Sequence, residues 1–281
     1  MRMAAQKIIY GTAWKKERTT ALVVSAVLNG FRAIDTALSP YDLCIWVKSE
    51  DLVGDALKTL QEKHGIKRED LFIQTKYTPI GGQDRSKPLP YDPLSRIETQ
   101  INSSFQKSLS NLHTTYLDSL LLHSPMDTLS RTITAWRTLM SLQDSGQVKF
   151  IGVSNTYDVS VLEALERDGG RRVQIVQNRW FEGNRWDKEV FQYCKDNDIQ
   201  YQSFWTLSGS PSLLAHPKLV ATARKNGCTP AQALFKLAQS RGVTPLSGTT
   251  DEKHMVEDVA VDSLDLETED LEEVVAWMGI N

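Results

Sequence analysis

The sequence predicts a (β/α)8 barrel that occupies residues 1–281 as a single domain. Eight short apolar runs alternate with segments of helical periodicity, and no linker interrupts them. Eight such units in about 280 residues are typical of a closed barrel. The competing class is a doubly wound sheet, which normally has a glycine-rich phosphate loop after an early strand. The first run is followed by GTAWKK at 11–16 instead, so we favour the barrel.

The predicted elements follow one another along the chain. Strands are expected at 7–13, 33–35, 71–76, 119–124, 149–155, 172–178, 199–205 and 242–249. Helices are expected at 18–29, from about residue 50, at 94–111, 128–144, 159–167 and 188–195, from residue 229, and at 266–277. The helix at 229 has the clearest start, because Thr229 and Gln232 form a capping-box pattern around Pro230. Gly146 is expected to end the helix predicted at 128–144.

Composition restricts the class of protein. The chain is 41% hydrophobic and 24% charged, with a formal net charge of −3, which argues against nucleic acid or an anionic membrane as the main partner. No apolar run reaches the ~20 residues needed to span a bilayer, and the first residues lack the apolar stretch of a secretory signal. Cys44, Cys194 and Cys228 are an odd number without metal-type spacing. We therefore expect free thiols, no metal site and a cytoplasmic protein.

Three of the predicted strands end at or beside ionisable residues, which are Asp35, Lys76 and His123. Barrel enzymes place their catalytic groups at this end of the strands. An Asp35–Lys76 ion pair is expected near the barrel mouth, where the lysine would lower the pKa of a neighbouring tyrosine from about 10 toward neutral pH. Such a tyrosine is a competent proton donor to a carbonyl oxygen, and His123 is placed to hydrogen-bond the same oxygen.

Several motifs make the chain similar to one family. GFRAIDTA, the VG pair at 53–54, LFIQTKYTP, LDSLLLHSP, FIGVSN, IVQN and the strand ending in QSFW resemble the aldo-keto reductases in strand order and spacing, from Gly11 to Asp258. GTAWKKERTTALV and SGTTDEKHMVEDV resemble its fungal members. The resemblance implies a barrel that binds NADPH across its C-terminal rim. It also implies hydride transfer to a small-molecule aldehyde or ketone.

The resemblance further implies which residues form the site. Asp35, Lys76 and His123 take three places of a Tyr-Lys-Asp-His tetrad. Phe204 stacks on the nicotinamide ring in place of the usual tyrosine. The residues implied to hold the nicotinamide carboxamide are Ser154, Asn155 and Gln177. The other implied cofactor residues are Thr12, Trp205, Leu207, Ser247, Gly248, Thr249, His254, Glu257 and Asp258, of which those from 205 onward line the pyrophosphate and adenine side.

The tyrosine of the tetrad departs from the family pattern. Lys48 stands five residues before Val53, where the family has tyrosine, although Glu50 is kept. The loop is also longer than is usual, and Tyr41 is its only tyrosine. We predict Tyr41 as the displaced proton donor, with Lys48 as the acid or loss of the donor as alternatives. Loss of the donor motivates a second hypothesis, in which the chain is a non-redox lyase, dehydratase or cyclase on the same barrel. A third hypothesis is a nucleotide-sensing regulatory subunit.

The cofactor phosphate site departs from the pattern as well. Leu246 and Ser247 stand where many members have Lys-Ser for the 2′-phosphate, and His254 replaces an arginine beside Lys253. Histidine is at most partly charged near neutral pH. We therefore expect NADPH, with NADH as the alternative. The chain ends at Asn281, which predicts a short C-terminal loop and an open pocket that does not identify the substrate.

Overall fold

A closed parallel barrel forms the centre of the molecule. The computed structural model describes residues 7–38 and 49–279, and in it eight parallel strands follow one another in chain order until the last pairs with the first. The strands are β1 Ile9–Gly11, β2 Ala33–Asp35, β3 Phe72–Tyr77, β4 Leu117–Leu122, β5 Val148–Ser154, β6 Ile175–Arg179, β7 Gln200–Phe204 and β8 Val243–Ser247. The predicted (β/α)8 architecture is therefore confirmed.

Helices connect consecutive strands on the outside of the barrel. In the described ranges they are α1 Thr19–Leu28, α2 Ser49–His64, α3 Ile97–Asn111, α4 Leu129–Asp144, α5 Val159–Arg167, α6 Lys188–Asp196, α7 Pro211–Leu214, α8 Pro217–Lys225, α9 Pro230–Ser240, α10 Glu252–Ala260 and α11 Thr268–Met278. The capping box predicted at Thr229 is present and starts α9. Helices α7, α8 and α10 are additional to the predicted set.

The main core lies between the barrel wall and the surrounding helices. Large side chains on the inner faces of the helices, such as Val23, Phe105, Trp136 and Leu139, are at most 1% exposed. Burying each side chain of this size contributes about 1.5–3 kcal/mol. The indole nitrogen of Trp136 donates to the carbonyl oxygen of Arg171 at 2.9 Å, so its one polar atom is satisfied. This packing fixes the strand ends on which the site is built.

Several predicted boundaries, including those of the third helix and the fourth strand, differ from the structure by a few residues. The helix predicted from residue 94 begins at Ile97, because Asp92 Oδ1 accepts from the backbone nitrogen of Leu94 at 2.9 Å and forms a turn. Leu94 is accordingly 93% exposed. The fourth strand begins at Leu117 and ends at Leu122, so His123 is the first residue beyond the strand.

Glu50 is a buried carboxyl group in the first turn of α2. Its Oε1 accepts from the hydroxyls of Thr75 and Ser108 at 2.5 and 2.9 Å, and Asn111 Nδ2 lies 3.3 Å from Oε2. Burial raises the pKa of Glu50 to about 7, against the three hydrogen bonds, which lower it. Gly54 lies so close to the carbonyl oxygen of Asn111 that a side-chain carbon there would clash. Glu50 therefore ties the start of α2 to β3 and α3.

We expect Glu50→Gln to reduce the pH dependence of stability. The pKa of Glu50 rises on folding from its ordinary value of 4.5 to about 7. The stability of the neutral form is thus fully present below pH 4.5 and is lost as the pH rises through 7. This shift corresponds to about 3 kcal/mol. Urea unfolding at low and high pH should show a difference smaller by that amount in the variant.

The matched control is Glu62→Gln on the same helix, whose side chain is 60% exposed. It should leave the pH dependence of the unfolding free energy as in the unmodified protein. Asp187 and Asp258 also have a pKa raised by burial to about 6, and they titrate alike in both variants. An unchanged pH dependence in Glu50→Gln would show that the carboxyl group is not neutral when buried.

Candidate active site

Asp35 and Lys76 form a buried ion pair at the C-terminal end of the barrel. Asp35 is the last residue of β2 and Lys76 lies near the end of β3. The Nζ atom of Lys76 lies 2.7 Å from both carboxylate oxygens of Asp35 and 3.0 Å from the carbonyl oxygen of Thr36. Each of the three ammonium hydrogens therefore has an acceptor. Charge-assisted bonds of this length hold the ammonium group in one place.

Three glutamine side chains form a polar layer inside the barrel next to this pair. Gln74 and Gln177 donate to Asp35 Oδ1 at 2.7 and 3.1 Å. The side-chain oxygen of Gln202 accepts from both amides, at 2.7 and 3.0 Å. All three glutamines are at most 2% exposed. Their hydrogen bonds compensate the buried carboxylate and give it a single orientation.

Gln74 and Gln202 were not among the residues predicted for the site. Successive side chains of a strand point to opposite faces, so Gln74 and Lys76, two residues apart on β3, face the same side. This spacing could have identified Gln74 from the sequence. Polar residues at inward positions of otherwise apolar strands predict an internal network. Gln177 was expected at the cofactor, and the structure places its amide on Asp35 and Gln202; its role toward a cofactor stays a prediction.

His123 lies beside the ion pair at the end of β4. Its Nδ1 is 2.8 Å from the hydroxyl of Thr78, and its backbone oxygen accepts from Asn155 Nδ2 at 2.9 Å. Burial, together with the positive charge of Lys76, lowers the pKa of His123 to about 3. The imidazole is therefore neutral at physiological pH. When Thr78 donates to Nδ1, the ring hydrogen is on Nε2, which is a suitable donor to a carbonyl oxygen.

We expect the imidazole of His123 to remain neutral from neutral pH down to about pH 4. The low pKa follows from the cost of charging a buried ring next to an ammonium group. Nitrogen chemical shifts of the ring, assigned by comparison with the His123→Gln variant, measure this directly. A titration midpoint between about pH 6 and 7 would contradict the neutral assignment.

The residues predicted for the nicotinamide carboxamide lie at the ends of β5 and β6. Asn155 has a left-handed φ of 50°, and its Nδ2 also donates to Ser154 Oγ at 3.2 Å. Ser154 Oγ in turn donates to the carbonyl oxygen of Gln177 at 2.8 Å. Within residues 7–38 and 49–279, Asn155 Oδ1 accepts no hydrogen bond, so it is available to an amide donor.

The residues predicted to stack on the nicotinamide and to line the pyrophosphate follow β7. Phe204 is the last residue of the strand. Trp205 has a left-handed φ of 65° and is 51% exposed, so its indole lies at the rim. Leu207 is partly buried and packs against the core. These side chains present a largely apolar surface at the mouth of the barrel.

Hydrogen bonds fix the backbone that follows β8. Lys15 Nζ donates to the carbonyl oxygen of Gly248 at 2.6 Å, and the hydroxyl of Tyr10 donates to that of Thr249 at 2.9 Å. Ser247 Oγ donates to Asp258 Oδ2 at 2.5 Å. Thr12 joins the same rim, because its backbone nitrogen donates to the carbonyl oxygen of Asp35 at 3.0 Å.

The predicted phosphate and adenine residues lie on the first turns of α10. Asp251 caps this helix by accepting from the backbone nitrogens of Lys253 and His254 at 2.8 and 3.3 Å. The side chain of Lys253 is 81% exposed and lies 3.6 Å from Glu257. His254 is exposed. The side chains of Lys253 and His254 are therefore available at the surface.

Tyr41 and Lys48 lie outside the described residues, so both stay predictions. The described residues before them place the chain beside the ion pair. The carbonyl oxygen of Thr36 accepts from Lys76, and that of Leu38 accepts from Gln83 Nε2 at 3.3 Å. The segment that contains Tyr41 therefore starts next to the candidate catalytic groups.

Fold and site together define a class of protein: a barrel enzyme with a Lys-Asp pair and a neutral histidine at its C-terminal rim. The chain belongs to the aldo/keto reductase family, whose family model matches residues 7–277. This membership supports an oxidoreductase that acts on carbonyl groups and uses a nicotinamide cofactor.

Similar proteins agree with this membership. The chain is 30% identical over 258 residues to the glyoxal reductase of Bacillus subtilis, which covers 92% of this chain and 82% of that protein. It is 30% identical over 254 residues to the oxidoreductase YtbE of the same bacterium, covering 90% and 81%. A solved aldo-keto reductase from a Medee basin deep-sea metagenome library shares the fold, with a TM-score of 0.81, 24% identity and coverage of 98% and 92%.

The fungal character expected from the sequence is not supported. The two relatives described above, each 30% identical, are bacterial, and a fission-yeast protein and a horse protein match equally, at 27% identity. Motifs shared across a family do not separate its branches.

The described ranges, 7–38 and 49–279, contain neither a metal-ligand cluster nor a membrane-spanning helix. No cluster of three or more His, Cys, Asp or Glu side chains there has the arrangement of a metal site. No helix there is both long enough and apolar enough to cross a bilayer.

Proposed function

We propose that this chain reduces an aldehyde or ketone with NADPH, with NADH as the alternative cofactor. The observation that carries the proposal is the buried Lys76–Asp35 pair, 2.7 Å apart, beside a neutral His123 at the C-terminal rim. A fixed ammonium group stabilises negative charge on a proton donor near it. A neutral imidazole donates a hydrogen bond to a carbonyl oxygen without competing as an acid.

Each of these side chains has a distinct role in the proposed reaction. His123 orients the carbonyl group by donating from Nε2 to its oxygen. Tyr41 gives its proton to the same oxygen, and Lys76 makes this transfer easier by favouring the tyrosinate that remains. Asp35 holds the ammonium group of Lys76 in position. Gln74 and Gln177, through Asp35, act as positioning residues.

The rim residues fit a nicotinamide dinucleotide. Asn155 Oδ1 is a suitable acceptor for a carboxamide, and Phe204 is placed to stack on a flat ring. A side-chain carbon built on Gly248 would meet no atom within 4 Å, so the chain leaves open space there. Lys253 offers a positive charge, and His254 a ring nitrogen, to a 2′-phosphate. When bound, the reduced nicotinamide supplies the hydride.

The proposal is tested by NADPH oxidation with a panel of carbonyl compounds. Glyoxal is the first substrate to try, because a relative at 30% identity is named glyoxal reductase. Aromatic aldehydes and ketones follow, with NADH in parallel. Protein that binds NADPH but oxidises none of it across the panel would contradict the proposal and favour the non-redox hypothesis.

The domain extent, the localisation and the lack of a nucleic acid partner also stay predictions. We propose that residues 1–281 form one barrel domain, that the protein is cytoplasmic, and that it has no nucleic acid partner. The parallel barrel described from Ile9 to Ser247 supports the first, and the formal net charge of −3 supports the third.

A further inference from the structure

Arg179 places a guanidinium group beside the proposed nicotinamide platform. It is the last residue of β6 and is in register with Phe204, the last residue of β7. Its Cζ lies 5.3 Å from the ring centroid of Phe204 and 4.9 Å from that of Trp205. The guanidinium therefore lies against two aromatic rings at the rim.

This guanidinium has no anionic partner among residues 7–38 and 49–279. Its Nε is buried and makes no hydrogen bond there, and no carboxylate in those ranges forms an ion pair with it. Contacts with aromatic faces offset only part of the cost of removing a cation from water. Buried polar groups in folded proteins nearly always have a partner. The missing partner is an acceptor, and the natural one for an arginine fork is an oxyanion.

The position of Arg179 along β6 directs this group toward the barrel mouth. Arg179 lies two residues after Gln177, and successive side chains of a strand alternate between its faces. Gln177 reaches Asp35 Oδ1 at 3.1 Å. Arg179 therefore lies on the same inward face as Gln177, one step nearer to the rim. An anion bound there would lie over the site that contains Lys76.

We propose that Arg179 binds an oxyanion at the barrel mouth, either the carboxylate of an acidic carbonyl substrate or a phosphate of the dinucleotide. This inference rests on the proposed function for its choice of ligands. Both ligands offer paired oxygens to the terminal nitrogens of the guanidinium. In the first case Arg179 determines substrate class, since keto acids and aldehyde acids are preferred over neutral carbonyl compounds.

The experiment compares Arg179→Met with Arg179→Lys and with the control Arg224→Met. Arg224 is an exposed residue of α8, and its replacement changes the net charge equally. The substrates are 4-formylbenzoate and its methyl ester, which differ only in the carboxylate. If Arg179 binds the substrate, Arg179→Met should raise KM for the acid by about 10- to 100-fold and leave the ester and the NADPH affinity unchanged. If it binds the dinucleotide, the Kd of NADPH should rise by that factor instead.

A binding measurement keeps the inference testable without turnover. Benzoate and inorganic pyrophosphate are titrated while tryptophan fluorescence is followed, because Trp205 contacts the guanidinium. We expect one of the two anions to bind equally well to the unmodified protein and to Arg224→Met. Its affinity for Arg179→Met should be lower by a factor of about 10 or more, and its affinity for Arg179→Lys should be intermediate. Equal binding of both anions by all variants, in protein that melts normally, would overturn the inference. If the unmodified protein binds an anion through Arg179 but reduces no carbonyl compound, only the proposed function is overturned.

Discussion

Replacing Lys76 by Met should lower the rate of carbonyl reduction by a factor of about 100 to 10,000. The ammonium group lies 2.7 Å from both oxygens of Asp35 and is the one fixed positive charge of the proposed mechanism. Without this charge, the tyrosinate that remains after proton transfer is less stable. The affinity for NADPH should change little, because Lys76 has its bonds to Asp35 and Thr36. Single-turnover reduction and a separate binding titration measure the two effects.

The design of this experiment must separate catalysis from folding. Lys76→Met leaves Asp35 buried without its cation, and removing one partner of a buried pair typically costs about 3–5 kcal/mol. The double variant Asp35→Asn/Lys76→Met removes both charges, so we expect it to recover much of the unfolding free energy but none of the rate. Lys149→Met is the matched control, because Lys149 pairs with Asp118 at 2.8 Å but is about half exposed. Recovery of the rate in the double variant would contradict the catalytic role.

Tyr41→Phe should also cut the reductive rate by about 100- to 10,000-fold, as expected for loss of a general acid. Tyr41 lies outside the described residues, and the prediction rests on its being the only tyrosine of the loop after Asp35. The structure adds that this loop leaves the barrel at Thr36, whose carbonyl oxygen accepts from Lys76. The affinity for NADPH should remain nearly unchanged.

Lys48→Met is the control for this second prediction, and it should have much less effect. Lys48 lies at the position where the resemblance places the family's tyrosine. A lysine is a poor proton donor to a carbonyl oxygen unless its pKa is strongly lowered. A large loss in Lys48→Met with full activity in Tyr41→Phe would transfer the acid role to Lys48. Full activity in both variants would show that the proton comes from elsewhere.

The fold was predictable because its signal is local. Short apolar runs that alternate with helical periodicity give the eight strands, and the strand-end positions of Asp35 and Lys76 follow from them. Helices α7, α8 and α10 were not predicted, although Leu213, Leu219 and Met255 are buried on them and Asp251 caps α10. Helices α8 and α10 are as long as the predicted α5 and α6, so length does not explain why they were missed.

The site was predictable in part, and its interior was not. Asp35 and Lys76 meet as expected, whereas the network of Gln74, Gln177 and Gln202 depends on three strands converging across the barrel. Such convergence is a property of barrel closure that no single stretch of sequence contains. Arg179 was missed for a simpler reason, because the predicted strand stopped at residue 178 and the observed one includes Arg179.

Hydride transfer at this site can be observed as transfer of deuterium from the reduced carbon of deuterated NADPH to an aldehyde. We expect the unmodified protein and Lys149→Met to form an alcohol with one deuterium on the former carbonyl carbon. Lys76→Met should form scarcely any of it. Mass spectrometry of the product measures this without relying on cofactor consumption. Product formed without deuterium, or turnover of a carbonyl compound in the absence of any nicotinamide, would contradict the assignment of this site to hydride transfer.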